Sequence, residues 1–206
     1  DNVTGARFDD VAMTNALRKT SITTPGRSSW DGDITKAQVP AALGPQFGIQ
    51  ISGSTTASFT AFGTAAFGAA ATSANFNGDL VIVDDGVGPD NADACEPLTA
   101  GSLTGKVAFI NRGVCGFEFK ARNAQGAGAS AVIIGNVASS GTPGTAPGMA
   151  DDPTITDTTV PTLSLNLNDA NAIRAQATGM QVALGEIAGT IAGADSGGRP
   201  LLYAPN

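Results

Sequence analysis

The chain has 206 residues, 42% of them hydrophobic and 14% charged, against roughly 25% charged in ordinary soluble domains. Its net charge is −7, and the 11 basic residues are scattered rather than gathered into the patch or stripe that nucleic acid requires. No apolar run reaches the roughly 18 residues of a membrane-spanning helix, and 27 glycines with 11 prolines indicate a turn-rich fold containing β-structure.

Taken in order, residues 9–19 could form a short helix with Val11, Ala12, Ala16 and Leu17 on its apolar face. TTPGRSSWDGD, 23–33, is turn chemistry around the single Trp, and GIQIS, 48–52, alternates as a strand does. The nearly uncharged stretch 52–77 carries Phe59, Phe62, Phe67 and Phe76. These rings either anchor strands and loops to the core, the preferred reading, or form an exposed apolar surface for a partner.

From residue 79 the pattern tightens. DLVIVDD (79–85), KVAFINRG (106–113) and SAVIIGNV (130–137) are short β-branched runs bounded by turn signals, as expected of strands buried on both faces. FEFKARNAQGAGA (117–129) reads as a helix ended by glycine, with Lys120 and Arg122 expected in solvent. Phe117 and Phe119 are expected in the core or at a shallow groove. TLSLN (162–166) predicts a strand, and 169–179 a second helix with Asn168 as N-cap and Gly179 as stop. Residues 180–189 and LLY (201–203) predict further strands.

Several chemistries fail on residue type. GADSGGRP (193–200) looks like a serine-protease nucleophile loop, but a serine hydroxyl needs an adjacent base and the chain has no His. The strand–helix–strand unit at 106–137 lacks the G-x-G-x-x-G turn of a dinucleotide fold and any P-loop. Glu occurs only at positions 96, 118 and 186, and no carboxylate pair falls where a cleft is predicted for glycoside hydrolysis. DDGVGPDNADAC (84–95) clusters Asp84, Asp85, Asp90 and Asp93. It reads as a solvated acidic loop, with calcium as the alternative, because hard cations take oxygen ligands from such loops. Asp151, Asp152 and Asp157 make a second acidic loop.

Two cysteines, Cys95 and Cys115, in an acidic, lysine-poor chain suit an oxidising compartment. They are either bridged, which would add about 3 kcal/mol in the chain-entropy model, or two separate buried thiols. Two cysteines without His do not make a zinc site.

LTGKVAFINRGVCGFEFKARNAQGAGASAVIIGN, 103–136, resembles the protease-associated (PA) domain family. That pattern runs strand, Arg-Gly-x-Cys-x-Phe-x-x-Lys, Asn-Ala-Gln, Gly-Ala, then a strand ending in Asn. Here it falls on Arg112, Gly113, Cys115, Phe117, Lys120, Asn123, Ala124, Gln125, Gly128, Ala129 and Asn136. Residues 149–173 resemble the family's next strand and helix, although in VPTLSLN the apolar residues depart from the commonest order. The flanks 14–32 and 192–206 resemble a secreted bacterial subgroup whose polypeptide usually continues into a zincin-like region. That flank explains ADSGGRP better than a protease loop does.

The resemblance implies an α+β "swivelling" β/β/α fold, an open β-barrel or sandwich flanked by helices, with an extra N-terminal β-rich flank. The expected layout is a flank at 1–77, a PA domain at 78–188 and a flank at 189–206. It implies a Cys95–Cys115 disulfide and motif or binding roles for Arg112, Gly113, Phe117, Lys120, Asn123 and Gln125. Arg112 is expected to organise loops more than to bind ligand. The expected function is a non-catalytic extracellular module that binds peptide or protein or assists a peptidase, its signal peptide removed. The alternative is a self-assembling surface or filament subunit, favoured by low charge and the Phe-punctuated segment. The binding face is expected in the loops after 84, after 113 and at 138–158.

Overall fold

A computed structural model describes residues 46–53, 56–176 and 178–187, nearly all within one compact unit, Phe47–Ile187. The helix expected at 9–19, the strand at 201–203 and Ser196 lie outside the described residues. The elements in order are β1 (Gln46–Ser52), β2 (Ala57–Phe59), β3 (Phe62–Thr64), β4 (Asn77–Ile82), β5 (Val107–Asn111), α1 (Phe117–Gly126), β6 (Ala131–Gly135), β7 (Thr162–Leu165), α2 (Leu167–Arg174) and β8 (Met180–Ile187).

The eight strands form one sheet in the order β2-β1-β8-β4-β5-β6-β7-β3. β4 to β7 run parallel, with Leu80 opposite Val107, Val107 opposite Ala131, and Val132 opposite Thr162. β8 is antiparallel to β4, and β3 to β7. The two edge strands, β2 and β3, are consecutive in the chain, separated only by Thr60 and Ala61. A flat sheet of eight strands would hold its edges about 33 Å apart at ~4.8 Å per strand. The link from Phe59 to Phe62 spans at most about 11 Å even fully extended. The sheet therefore curls into a nearly closed barrel.

Burial on both faces follows from the two-residue period of each strand. Val107 and Phe109, Ala131 and Ile133, and Leu163 and Leu165 belong to the cluster inside the barrel, with Ile49, Phe76 and Val182. Ala108, Ile110, Val132 and Ile134 point outward and are covered by Ala121 and Ala124 of α1 and by its C-cap, Ala127. Small side chains there let the helix lie close to the sheet. This double burial is why the parallel strands read as continuous apolar runs.

α2 adds Ala170 and Ile173 to the inner cluster and closes the barrel at the carboxyl end of β6. A side chain at Gly135 would run into the Phe109 ring, and Ala170 Cβ stands 2.9 Å from where its Cβ would be.

The helices are shorter than expected. α1 ends at Gly126. α2 starts two residues early because Asn166, not Asn168, is its N-cap. Asn166 Oδ1 accepts from the Asp169 amide at 3.1 Å while its Nδ2 donates to the Asp169 carboxylate at 2.7 Å. Reciprocal capping of this kind fixes a helix start. The helix stops at Arg174 with Ala175 as C-cap, so Gly179 lies well past it. The phenylalanines of 52–77 face inward: Phe59, Phe67 and Phe76 are buried and Phe62 packs partly against the core.

Candidate functional site: the loops at the carboxyl ends of β4, β5 and β6

Three connections leave the same end of the parallel strands: 83–106 after β4, 112–116 after β5, and 136–161 after β6. α1 follows the second connection, and its polar side chains tie down the other two.

The first loop is built from Asx turns. Asp84 Oδ1 accepts from the Gly86 amide at 2.9 Å and from Asn91 Nδ2 at 2.8 Å. Asp85 Oδ1 accepts from the Val87 amide, Asp90 Oδ1 from the Ala92 amide, and Asp93 Oδ1 from the Cys95 amide. A short acceptor two residues back is what such turns need. Asn111, at the tip of β5, donates its side-chain amide to both Asp90 oxygens at 3.0 and 3.1 Å.

Lys120 decides the position of this loop. It is fully buried, and its ammonium donates to the Asp93 carbonyl and, at 3.1 Å, to Cys95 Sγ. The Asp93 carboxylate stands 3.8 Å away. Burial lowers the Lys120 pKa below its ordinary value, with the charges of Asp93, Asp90, Asp85 and Glu96 acting in the opposite direction. The expectation that Lys120 faces solvent is overturned. It sits on the inward stripe of α1 with Phe117, Ala121 and Ala124, at i, i+3, i+4 and i+7. One turn on, Asn123 Nδ2 donates to the Ala94 carbonyl at 2.9 Å.

Cys95 and Cys115 form a disulfide, with Cα atoms 5.7 Å apart. It fastens the first loop to the second. Gly113 fits under that junction because a Cβ there would come 2.8 Å from Asp93 Oδ2. Arg112 donates to Asn136 Oδ1 at 3.3 Å and lies over the Phe117 ring at 5.5 Å, a loop-organising position. Between Gly113 and Cys115, Val114 is 98% exposed. Phe119 is also exposed, against the expectation of core or groove, because it lies on the outer face of α1.

The third loop hangs from Glu118, Gln125 and Asn136. Glu118 Oε2 accepts from the Asp152 amide at 2.7 Å. Gln125 Oε1 accepts from the amides of Thr159 and Val160, and its Nε2 donates to the Asp157 carbonyl at 2.8 Å. Buried Asn136 donates to the carbonyls of Thr142 and Thr145, each at 2.9 Å. Arg174 reaches across from α2 to Asn111 Oδ1 at 2.8 Å and to the carbonyls of Gly135 and Asn136. Neither Arg174 nor Asn111 carried a sequence signal for this role, since Arg174 lies 38 to 63 residues from Asn136, Gly135 and Asn111, and Asn111 lies 21 from Asp90.

Of the four aspartates considered for a metal, only Asp85 and Asp93 come together, joined by Glu96 with one oxygen from each within 4.8 Å of the others. Asp84 and Asp90 stand apart from that group among the described residues, each holding a turn and an asparagine. The ammonium of Lys120 is the cation these carboxylates face.

Residues 76–173 match the PA domain family model. This segment is a PA domain. The match ends within α2, so β8, which pairs with β4 in the same sheet, lies beyond it.

Solved structures similar to the chain include BSAP, a zinc aminopeptidase from Bacillus subtilis, at 21% identity and TM-score 0.46, covering 70% of this chain and 32% of that one. Another is an aminopeptidase from Aneurinibacillus sp. strain AM-1, at 22% identity and TM-score 0.45, covering 69% and 31%. A third is a peptidase M28 precursor from Shewanella amazonensis SB2B, at 17% identity and TM-score 0.43, covering 69% and 36%. The chain thus spans about a third of the length of these structures. No curated protein matches it.

Within the PA domain, the sequence motif places its residues in two groups. Arg112, Gly113, Cys115, Phe117, Lys120 and Asn123 surround the junction of the first two loops, and Gln125 holds the third. Among the described residues no helix is long and apolar enough to cross a membrane.

Proposed function

We propose that the chain is a non-catalytic, extracellular recognition module, with its PA domain extending over 78–188. In this reading it binds peptide or protein through the loops at the carboxyl ends of β4 to β6 and serves a peptidase domain lying outside these residues. Val114 carries the reading. It is 98% exposed, yet its neighbours are fixed: Cys115 by the disulfide and Gly113 by close approach to Asp93. An apolar side chain held rigidly in water loses little further freedom on docking, which favours recognition.

The polar chemistry supports the same view. Lys120, Asn123, Gln125, Asn136 and Arg174 are committed to loop carbonyls and amides. The chain has no His to activate a nucleophile or to ligate zinc. In this reading the aspartates shape the first loop, and calcium is not required for it.

Selection of a displayed random-peptide library on the whole chain tests the proposal, with V114D as the counter-target. Peptides that bind the native chain, lose at least tenfold on V114D and are not cleaved during the incubation are expected. No enrichment, binding indifferent to position 114, or hydrolysis of bound peptide would each overturn it.

A further inference from the structure

The two sulfurs of the disulfide are chemically unequal. Cys95 Sγ receives the Lys120 ammonium at 3.1 Å and the Cys115 backbone amide at 3.2 Å. Both donors act on the same sulfur, and both would stabilise it as an anion. The carboxylates of Asp85, Asp90, Asp93 and Glu96 also face this region and act to raise the Lys120 pKa, against the larger lowering by burial. They repel a thiolate, but the nearest of them, Asp93, already accepts from the Cys95 amide at 2.9 Å and pairs with Lys120. The ammonium, not a carboxylate, is in hydrogen-bond contact with the sulfur.

We propose that Cys115 Sγ is a directed thiol–disulfide exchange site, attacked by a low-molecular-weight thiol or dithiol, with Cys95 as the leaving thiolate held by Lys120. An incoming thiolate forms a bond to Cys115 Sγ as the Cys95–Cys115 bond breaks, and that electron pair passes to Cys95 Sγ. Exchange favours the leaving sulfur that better carries negative charge. With a monothiol the product is a mixed disulfide at Cys115. With a dithiol, its second thiol attacks the mixed bond, Cys115 leaves as a thiol, and the dithiol becomes a disulfide. Cys95 and Cys115 are only half-buried, and Val114 beside Cys115 is open to solvent, so the attacking thiol has a route in.

Opening this bond frees the Val114 loop from the loop carrying Asp93. Any effect on peptide binding rests on the function proposed above. The direction of attack does not.

The probe is reduced glutathione added to the folded chain, followed by N-ethylmaleimide and tryptic mapping. Cleavage after Arg112 and Lys120 isolates Cys115 on residues 113–120, apart from Cys95. Glutathione on Cys115 and maleimide on Cys95 are expected in at least tenfold excess over the reverse pattern. Equal labelling, glutathione on Cys95, or no exchange short of unfolding would overturn the proposal.

K120Q should abolish the bias. Because K120Q also removes a buried anchor of the loop, a second pair of variants is compared by iodoacetamide labelling across pH. The single thiol of C115S should react at lower pH than the single thiol of C95S, and the opposite order, or no difference, would also overturn it. These readouts are independent of any peptide ligand.

Discussion

The Lys120 ammonium lies 3.8 Å from the Asp93 carboxylate, with the lysine fully buried and the aspartate almost so. A helix residue and a loop residue 27 positions apart thereby fix each other. Removing the cation alone leaves a buried carboxylate uncompensated, which typically costs about 3–5 kcal/mol. K120M should lose that much in urea unfolding, and D93N/K120M should recover a substantial part. Equal losses in the single and double variants would show that packing, not charge, dominates.

The same lysine gives a pH dependence. Its pKa is lowered in the folded state by burial, below 10.5. Between the folded value and 10.5 the unfolded chain binds more protons, so this group makes stability rise with pH across that window. Below the folded value the cost of burying the charge is present in full. Urea midpoints of the native chain relative to K120M should therefore increase on approaching pH 10.5, and a flat or falling difference would contradict the assignment.

Gly113 has no room for a methyl group, since its Cβ would lie 2.8 Å from Asp93 Oδ2 and 3.2 Å from Asp93 Cβ. G113A should destabilise by about 1–3 kcal/mol, the usual range for overpacking. Thermal melts of G113A alone and with D93A separate the clash from a backbone effect, because D93A removes the crowding carboxylate, though not Cβ, and adds its own cost.

The disulfide joins residues 20 apart. Replacing both cysteines with serine should lower unfolding free energy by about 3 kcal/mol. Urea denaturation under non-reducing conditions measures it.

Asn136 is fully buried and donates to the carbonyls of Thr142 and Thr145 while accepting from Arg112 and the Val137 amide. N136A leaves several of these without a partner, each costing about 1–3 kcal/mol if it stays dry. Amide exchange in residues 137–145 should speed up before the barrel strands do.

The strand–helix–strand core was legible in the sequence because burial on both faces removes polar residues from β6 and from all of β5 but its tip, Asn111. Ala108 and Ile110 pack under α1 while Val107 and Phe109 pack inside the barrel. The motif around Arg112, Cys115 and Lys120 was equally legible, since its spacing is local, and so was the inward role of most phenylalanines between 52 and 77. The start of α2 was misplaced because Asn166 and Asn168 are both competent caps by residue type. Only the geometry of Asp169 distinguishes them.

By itself, then, the sequence determined the identity of the family segment, the order of its central elements and the residues at the loop junction. These depend on side-chain period and short spacings, which one chain displays directly. Tertiary structure alone decided that the sheet closes on itself, because that rests on β2 and β3 finding opposite edges of one sheet. It also decided that Lys120 points inward and that Val114 stands out in water. A lysine reads as a surface residue until the carbonyl and carboxylate of Asp93 are brought to it. A valine reads as core until a disulfide and a crowded glycine hold it away.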